Sequence, residues 1–331
     1  MHYRSLGASD LQISEISLGS WLTFSGGVEF DQTKACTAAA LDAGINFFDT
    51  ANAYGHGSAE SAWGEILSEH PRDSYVLATK LFAPMSDDPT DFGLSAVQIH
   101  KQLDASLRRL RTDHVDLYQA HRFDINVPLE ETIEAFQQVV RSGKARYIGF
   151  SEWTPEQIRA AVEIGGEGLF VSSQPQYSML WRGPEAEVFG VCTTHGISQV
   201  VWSPLAQGVL TGKYPPGQEV PPGSRFASPT MGIARGMYQD DVLDAVQRLR
   251  PIAEDAGVDM ATMALAWVLR RSEVASAITG ASRPEQVYTN AAASAASLDD
   301  ETLARIDTVL ARVAVTEPRL AVGAVEGVLR R

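Results

Sequence analysis

Cysteine is scarce in this chain: Cys36 and Cys192 are the only two among 331 residues, with no C-x-x-C spacing. That excludes a disulfide framework and a cysteine-built zinc cluster, and it suits a reducing compartment. Positive charge is short as well, with 27 Lys and Arg against 41 Asp and Glu, a net charge of -14 and a pI near 4.9. A surface of that sign repels phosphate backbones and anionic headgroups, so no nucleic-acid partner is expected. No uninterrupted apolar stretch approaches bilayer-spanning length, which argues against direct membrane insertion, and the segment from Met1 to Gly7 lacks the apolar core of a signal peptide. The expectation is a soluble, unexported, cytoplasmic protein.

Several catalytic signatures are missing too. The seven histidines form no H-E-x-x-H or other metal-ligand spacing, and neither a G-x-S-x-G elbow nor a Walker loop occurs. Gly55-His56-Gly57 lacks the three-glycine spacing of a dinucleotide fingerprint and reads as a turn before a helix near Ser58. Metal, serine-hydrolase and Rossmann-type chemistry are therefore not expected.

What is present is an alternation of short β-rich runs with longer segments of helical period, the mark of βα units around a parallel sheet. Eight runs lie near 15–18, 45–48, 75–79, 115–120, 146–150, 169–173, 198–202 and 275–279. Between them, Ile99, Leu103, Leu107 and Leu110 repeat at helical spacing from Ser95 to Leu110, which turns Arg108, Arg109 and Arg111 outward. Pro128 to Arg141 carries helix start and stop chemistry. Before the first unit, two short runs flank Gly7-Ala8-Ser9-Asp10, giving a small hairpin over 1–14 that can cap the barrel floor. The period fails from Pro204 to Tyr238, too long for an ordinary connector. After the last run, Pro284 to Ala296 and Asp299 to Val313 read as helices, and 314–331 is a tail with little pattern. The fold class is α/β, a single (β/α)8 TIM barrel over 1–331, with 44% hydrophobic residues to fill its core.

Barrel enzymes gather reactive groups where the strands end. Asp49 follows Ile45-Asn46-Phe47-Phe48, Lys80 follows Tyr75 to Thr79, and His121 follows Val115 to Ala120, with Tyr54 in the loop beyond Asp49. Tyrosine titrates near 10, and a neighbouring ammonium is expected to lower that value. Lys80 can supply the ammonium, Asp49 its compensating anion, and His121 a hydrogen bond to a carbonyl oxygen. Each residue alone also fits a plainer role: a loop tyrosine, a turn cap, a rim charge, a solvated His121–Arg122 pair. Their joint placement on three consecutive strand ends points to a site.

The remaining strands end alike, in Ser151, Gln174, Trp202-Ser203 and Gly280. Serine and glutamine suit a carboxamide, and an indole offers either a stacking face or plain core packing. The long loop adds Lys213 and Arg225, and the turn from Gly280 to Pro284 opens a helix whose amides can hold an anion. Trp21, Phe24, Tyr54, Phe82, Trp153 and Trp181 are candidates for an aromatic substrate pocket.

Over nearly its whole length the chain resembles the aldo-keto reductases. The motifs that carry this are Gly44-Ile45-Asn46-Phe47-Phe48-Asp49-Thr50-Ala51 with Tyr54, Thr79-Lys80, Val115 to Tyr118 through His121-Arg122, Gly143 to Gly149, and Trp202-Ser203-Pro204-Leu205-Ala206. Gly19-Ser20-Trp21-Leu22-Thr23-Phe24, Gly212-Lys213-Tyr214 and Gly280-Ala281-Ser282 look most like the potassium-channel β-subunit branch and its bacterial relatives. The resemblance implies reduction of an aldehyde or ketone by NADPH, with Tyr54 as proton donor, Lys80 and Asp49 tuning it, and His121 orienting the carbonyl. It further implies that Ser151, Gln174 and a stacked Trp202 fix the nicotinamide, with Ser20, Trp21 and Asp49 near it. Ser203, Pro204, Leu205, Ala206, Gln207, Gly208, Lys213 and Arg225 would follow the phosphates, under a covering loop at 204–238. Gly280, Ser282, Gln286 and Asn290 would hold the adenosine end, and Lys213 with Arg225 favours NADPH over NADH. No metal is implied. Relatives of this branch assemble into tetramers or octamers, and an alternative role follows from them: a nucleotide-sensing binding subunit with slow turnover. Three positions depart from the branch: His121 stands where the channel subunits have asparagine, Glu152 replaces an arginine and Thr289 a glutamate.

Overall fold

A computed structural model describes residues 1–21, 24, 28–227 and 237–318. Eight parallel strands close into a barrel in the order β10(Val274–Thr279), β3(Ile16–Gly19), β4(Phe47–Asp49), β5(Val76–Leu81), β6(Val115–Ala120), β7(Ala145–Phe150), β8(Ser172–Ser173) and β9(Ser198–Val201). Each expected run falls on one of these strands, shifted by a residue or two. The largest difference is at 169–173, where only Ser172 and Ser173 are strand. Lys80 also sits inside β5 rather than just past its end, because pairing with β6 continues through Leu81.

The floor closes as the hairpin pattern predicts. β1(Tyr3–Ser5) pairs antiparallel with β2(Gln12–Ser14), and Leu6, Leu11 and Ile13 pack against Phe47, Val76, Leu117, Val171, Val200 and Ala275 inside the barrel. Burying these apolar ends under a hairpin removes them from water on the face that carries no chemistry. Gly7 is required at the turn: its φ is +55° and a Cβ would stand 2.3 Å from the Val171 carbonyl oxygen.

Outside the strands, helices pack their apolar stripes inward. In Ala96–Leu110, capped by Ser95 on the Gln98 amide, Ile99, Leu103, Leu107 and Leu110 are all buried. Arg109 departs from its expected outward position: its Nε donates to Oε2 of the fully buried Glu60 at 2.7 Å, and Glu60 Oε1 accepts from Thr79 Oγ1 at 2.6 Å. An arginine stem can lie along apolar surface while its head reaches a buried carboxylate, which a periodicity count does not register. This ties Ser58–Leu67, Ala96–Leu110 and β5 together behind the site. Gly64 permits the approach, since a Cβ there would lie 2.0 Å from the Arg109 carbonyl oxygen.

The long segment from Pro204 forms a 3-10 turn over Ala206–Thr211 and another over Arg225–Ala227, while 228–236 lies outside the described residues. Of the tail, 319–331 also lies outside them; its start is pinned where Val315 exchanges backbone hydrogen bonds with Leu180 and Arg182.

Candidate active site

Tyr54, Asp49, Lys80 and His121 converge at the C-terminal mouth of the barrel. Lys80 is fully buried; its Nζ donates to Asp49 Oδ1 at 2.5 Å and to the Thr50 carbonyl at 2.9 Å. The other carboxylate oxygen, Asp49 Oδ2, accepts from Gln174 Nε2 at 3.0 Å and Gln119 Nε2 at 3.4 Å. The ammonium lies 5.2 Å from the Tyr54 ring centroid, and the Tyr54 hydroxyl stands 3.5 Å from His121 Nε2.

Tyr54 owes its place to an unusual turn. Gly55 and His56 are left-handed (φ +58° and +50°), and Gly57 (φ +91°) leads into the helix at Ser58, as expected from the glycines. Arg109 lies against Gly57, where a Cβ would meet its side chain at 2.6 Å. The buried Glu60–Arg109 pair thereby braces the turn that presents the phenol.

Electrostatics at the mouth correct one expectation. Burial pushes the Tyr54 phenol above its ordinary value; Lys80 and Arg122 pull it down and Asp49 pushes it up, and the balance stays raised. The ammonium acts in the expected direction and is outweighed by desolvation. For Lys80 itself, burial pulls the value down, but Asp49 and Tyr54 more than offset it, so the ammonium stays charged. His121 is pushed well below 6.5 by burial, then by Arg122 and Lys80, which makes it a neutral imidazole at pH 7.

From this mouth a groove of about 1190 Å³ runs to the helix Pro284–Ala292. Along it stand Trp21, Asp49, Ser151 and Gln174, then Trp202, Ser203, Pro204, Leu205, Gln207 and Gly208, then Lys213, Arg225, Gly280, Ser282, Gln286 and Asn290. Ser20 and Ala206 do not line it: both are fully buried, and Ser20 donates its hydroxyl to Thr50. Lys80 lies beneath the wall. Ser203, Ala206, Gln207 and Gly208 are all left-handed (φ +55°, +47°, +58°, +94°), a run of strained backbone of the sort that marks ligand clamps. Gln207 bridges it, donating to Ser203 Oγ and accepting from Arg225 Nη1 at 2.7 Å. Among the described residues no carboxylate pairs with Lys213 or Arg225.

The aromatic pocket is smaller than expected. Only Trp21 and Tyr54 of the six candidates line the groove; Phe24, Phe82, Trp153 and Trp181 are buried, with Trp153 stacked on Phe150 and edge-on to Phe123 and Phe170. Large rings near strand ends are as readily used for packing as for lining, and sequence cannot separate the two. Glu152, noted as a departure, turns out to hold the indole: its Oε1 accepts from Trp202 Nε1 at 3.0 Å and from the Gln176 amide at 2.5 Å. Gln119 and Arg122 are the site residues that sequence reasoning left without a role; a polar residue alternating inward along β6 is the signal that marks Gln119. Among the described residues no group of His, Cys, Asp or Glu could hold a metal ion, and no helix is long and apolar enough to cross a membrane.

Comparison with known proteins agrees with the barrel fold. The model of the aldo/keto reductase family matches residues 15–311. A probable voltage-gated potassium channel subunit beta from Arabidopsis thaliana is 41% identical over 298 residues, covering 88% of this chain and 90% of that protein. An L-glyceraldehyde 3-phosphate reductase from Escherichia coli is 36% identical over 323 residues, covering 94% and 93%. Among solved structures, a glycerol dehydrogenase from Gluconobacter oxydans superposes with a TM-score of 0.82 at 28% identity, covering 96% of each chain.

Proposed function

Since the chain belongs to the aldo/keto reductase family, we propose that it is an oxidoreductase that reduces an aldehyde or ketone to an alcohol with NADPH. The observation that carries this reading is the buried Lys80–Asp49 pair directly under Tyr54 and His121 at one end of a long groove.

The groove suits the cofactor. Its volume exceeds the ~300–1,000 Å³ of ordinary small-molecule sites, and it offers an indole face at Trp202, amide and hydroxyl groups at Gln174 and Ser151, and two cations, Lys213 and Arg225, that no carboxylate pairs among the described residues. Those cations on a chain of net charge -14 suit phosphates, the 2'-phosphate of NADPH included. When bound, the nicotinamide supplies a hydride to the carbonyl carbon. Tyr54 gives its hydroxyl proton to the carbonyl oxygen as negative charge builds there, and Lys80 stabilises the phenolate left behind. Asp49 holds the ammonium in place, and His121, kept neutral, orients the oxygen with a ring N–H. The two buried free thiols, Cys36 and Cys192, accord with a cytoplasmic site of action.

Replacing Tyr54 with Phe is expected to lower kcat by about 10²–10⁴-fold while NADPH binding, followed by fluorescence titration, is retained. Full activity in that variant would remove the mechanism. The similarity to proteins named as channel subunits favours a second reading, a nucleotide sensor with slow turnover. Brisk NADPH oxidation with any common carbonyl compound would set that reading aside.

A further inference from the structure

Arg122 has no assigned part in the chemistry above. It follows His121 on the strand end and lines the same groove as Tyr54 and His121, close enough for its charge to act on both. The side chain is half-buried. Among the described residues its hydrogen bonds run from Nη1, to the carbonyl of its own neighbour His121 at 2.6 Å and to Ser151 Oγ at a long 3.5 Å. Among the described residues no carboxylate pairs with it, although most of the arginines packed against the barrel have one, Arg4, Arg72, Arg109 and Arg146 among them. A half-buried guanidinium that lines the groove with no carboxylate beside it keeps donors available to an anion that enters there. The phosphate-binding cations Lys213 and Arg225 belong to the segment after β9, whereas Arg122 stands beside the proton donor.

We propose that the carbonyl substrate carries an anionic oxyacid group, a carboxylate or a phosphate, that Arg122 receives. This rests on the reductase reading and narrows it to a substrate class. The planar fork of arginine matches such a group bidentately, and on a strongly acidic protein a cation on the groove wall favours an anion there over the rest of the surface.

The test compares kcat/KM for ortho-, meta- and para-carboxybenzaldehyde and the corresponding formylphenyl phosphates with the carbamoylbenzaldehyde of the same substitution, using NADPH. At least one charged member should exceed its neutral counterpart by about 10–100-fold, the range of a charge-assisted hydrogen bond. That ratio should collapse toward unity in Arg122→Met, recover in part in Arg122→Lys, and fall as salt is raised. The proposal is overturned if no charged member is preferred by the wild-type protein, or if Arg122→Met keeps the preference. Absence of turnover on every aldehyde, charged or neutral, would instead remove the reductase reading, and the substrate class with it.

Discussion

Removing the Lys80 ammonium is the sharpest perturbation of this site. At 2.5 Å and an effective dielectric of about 20, its attraction to Asp49 is about 6–7 kcal/mol, most of it offset by the cost of drying two ions. The pair as a whole therefore contributes little, but Lys80→Met strands a carboxylate whose remaining support, among the described residues, is Gln174 and Gln119. Breaking one side of such a pair costs about 3–5 kcal/mol. Urea unfolding should show that deficit for Lys80→Met at pH 7.5, and Lys80→Met with Asp49→Asn should lose less than the sum of the single changes, because removing the carboxylate's charge along with the ammonium leaves no ion stranded. A deficit below about 1 kcal/mol, or single changes that simply add, would refute the account of a dry, coupled pair.

Other outcomes follow from the same geometry. Glu152→Ala leaves the Trp202 and Gln176 donors without their acceptor and should cost about 1–3 kcal/mol with a shifted tryptophan emission, whereas Glu152→Gln keeps an acceptor oxygen and should cost less. Because the folded pKa of His121 is depressed, its neutral form contributes stability present above about pH 6.5 and lost as pH falls through the folded value. His121→Gln should therefore flatten the fall of the urea midpoint between pH 7 and 5, a slope of up to about 1.4 kcal/mol per pH unit for one proton. Gly64→Ala forces apart the helices Ser58–Leu67 and Ala96–Leu110 and should lower stability by about 1–3 kcal/mol, read as a drop in Tm.

Chain order and hydrophobic period, both local properties, determined the barrel, the hairpin beneath it and the four residues at its mouth. Ile99, Leu103, Leu107 and Leu110 could be assigned to the core because helix geometry alone puts them on one face. Asp49, Lys80 and His121 could be assigned to one mouth because parallel strands share a direction. The tertiary structure decided what depends on distance between segments far apart in the chain. It placed Arg109 on buried Glu60 instead of in solvent, sent Trp153 and Phe82 into the core, made Glu152 the support of Trp202, and left Ser20 behind the wall. It also fixed the balance at Tyr54, where burial opposes a neighbouring ammonium and prevails. Desolvation is a sum over everything packed around a group, and no run of neighbouring residues contains that sum.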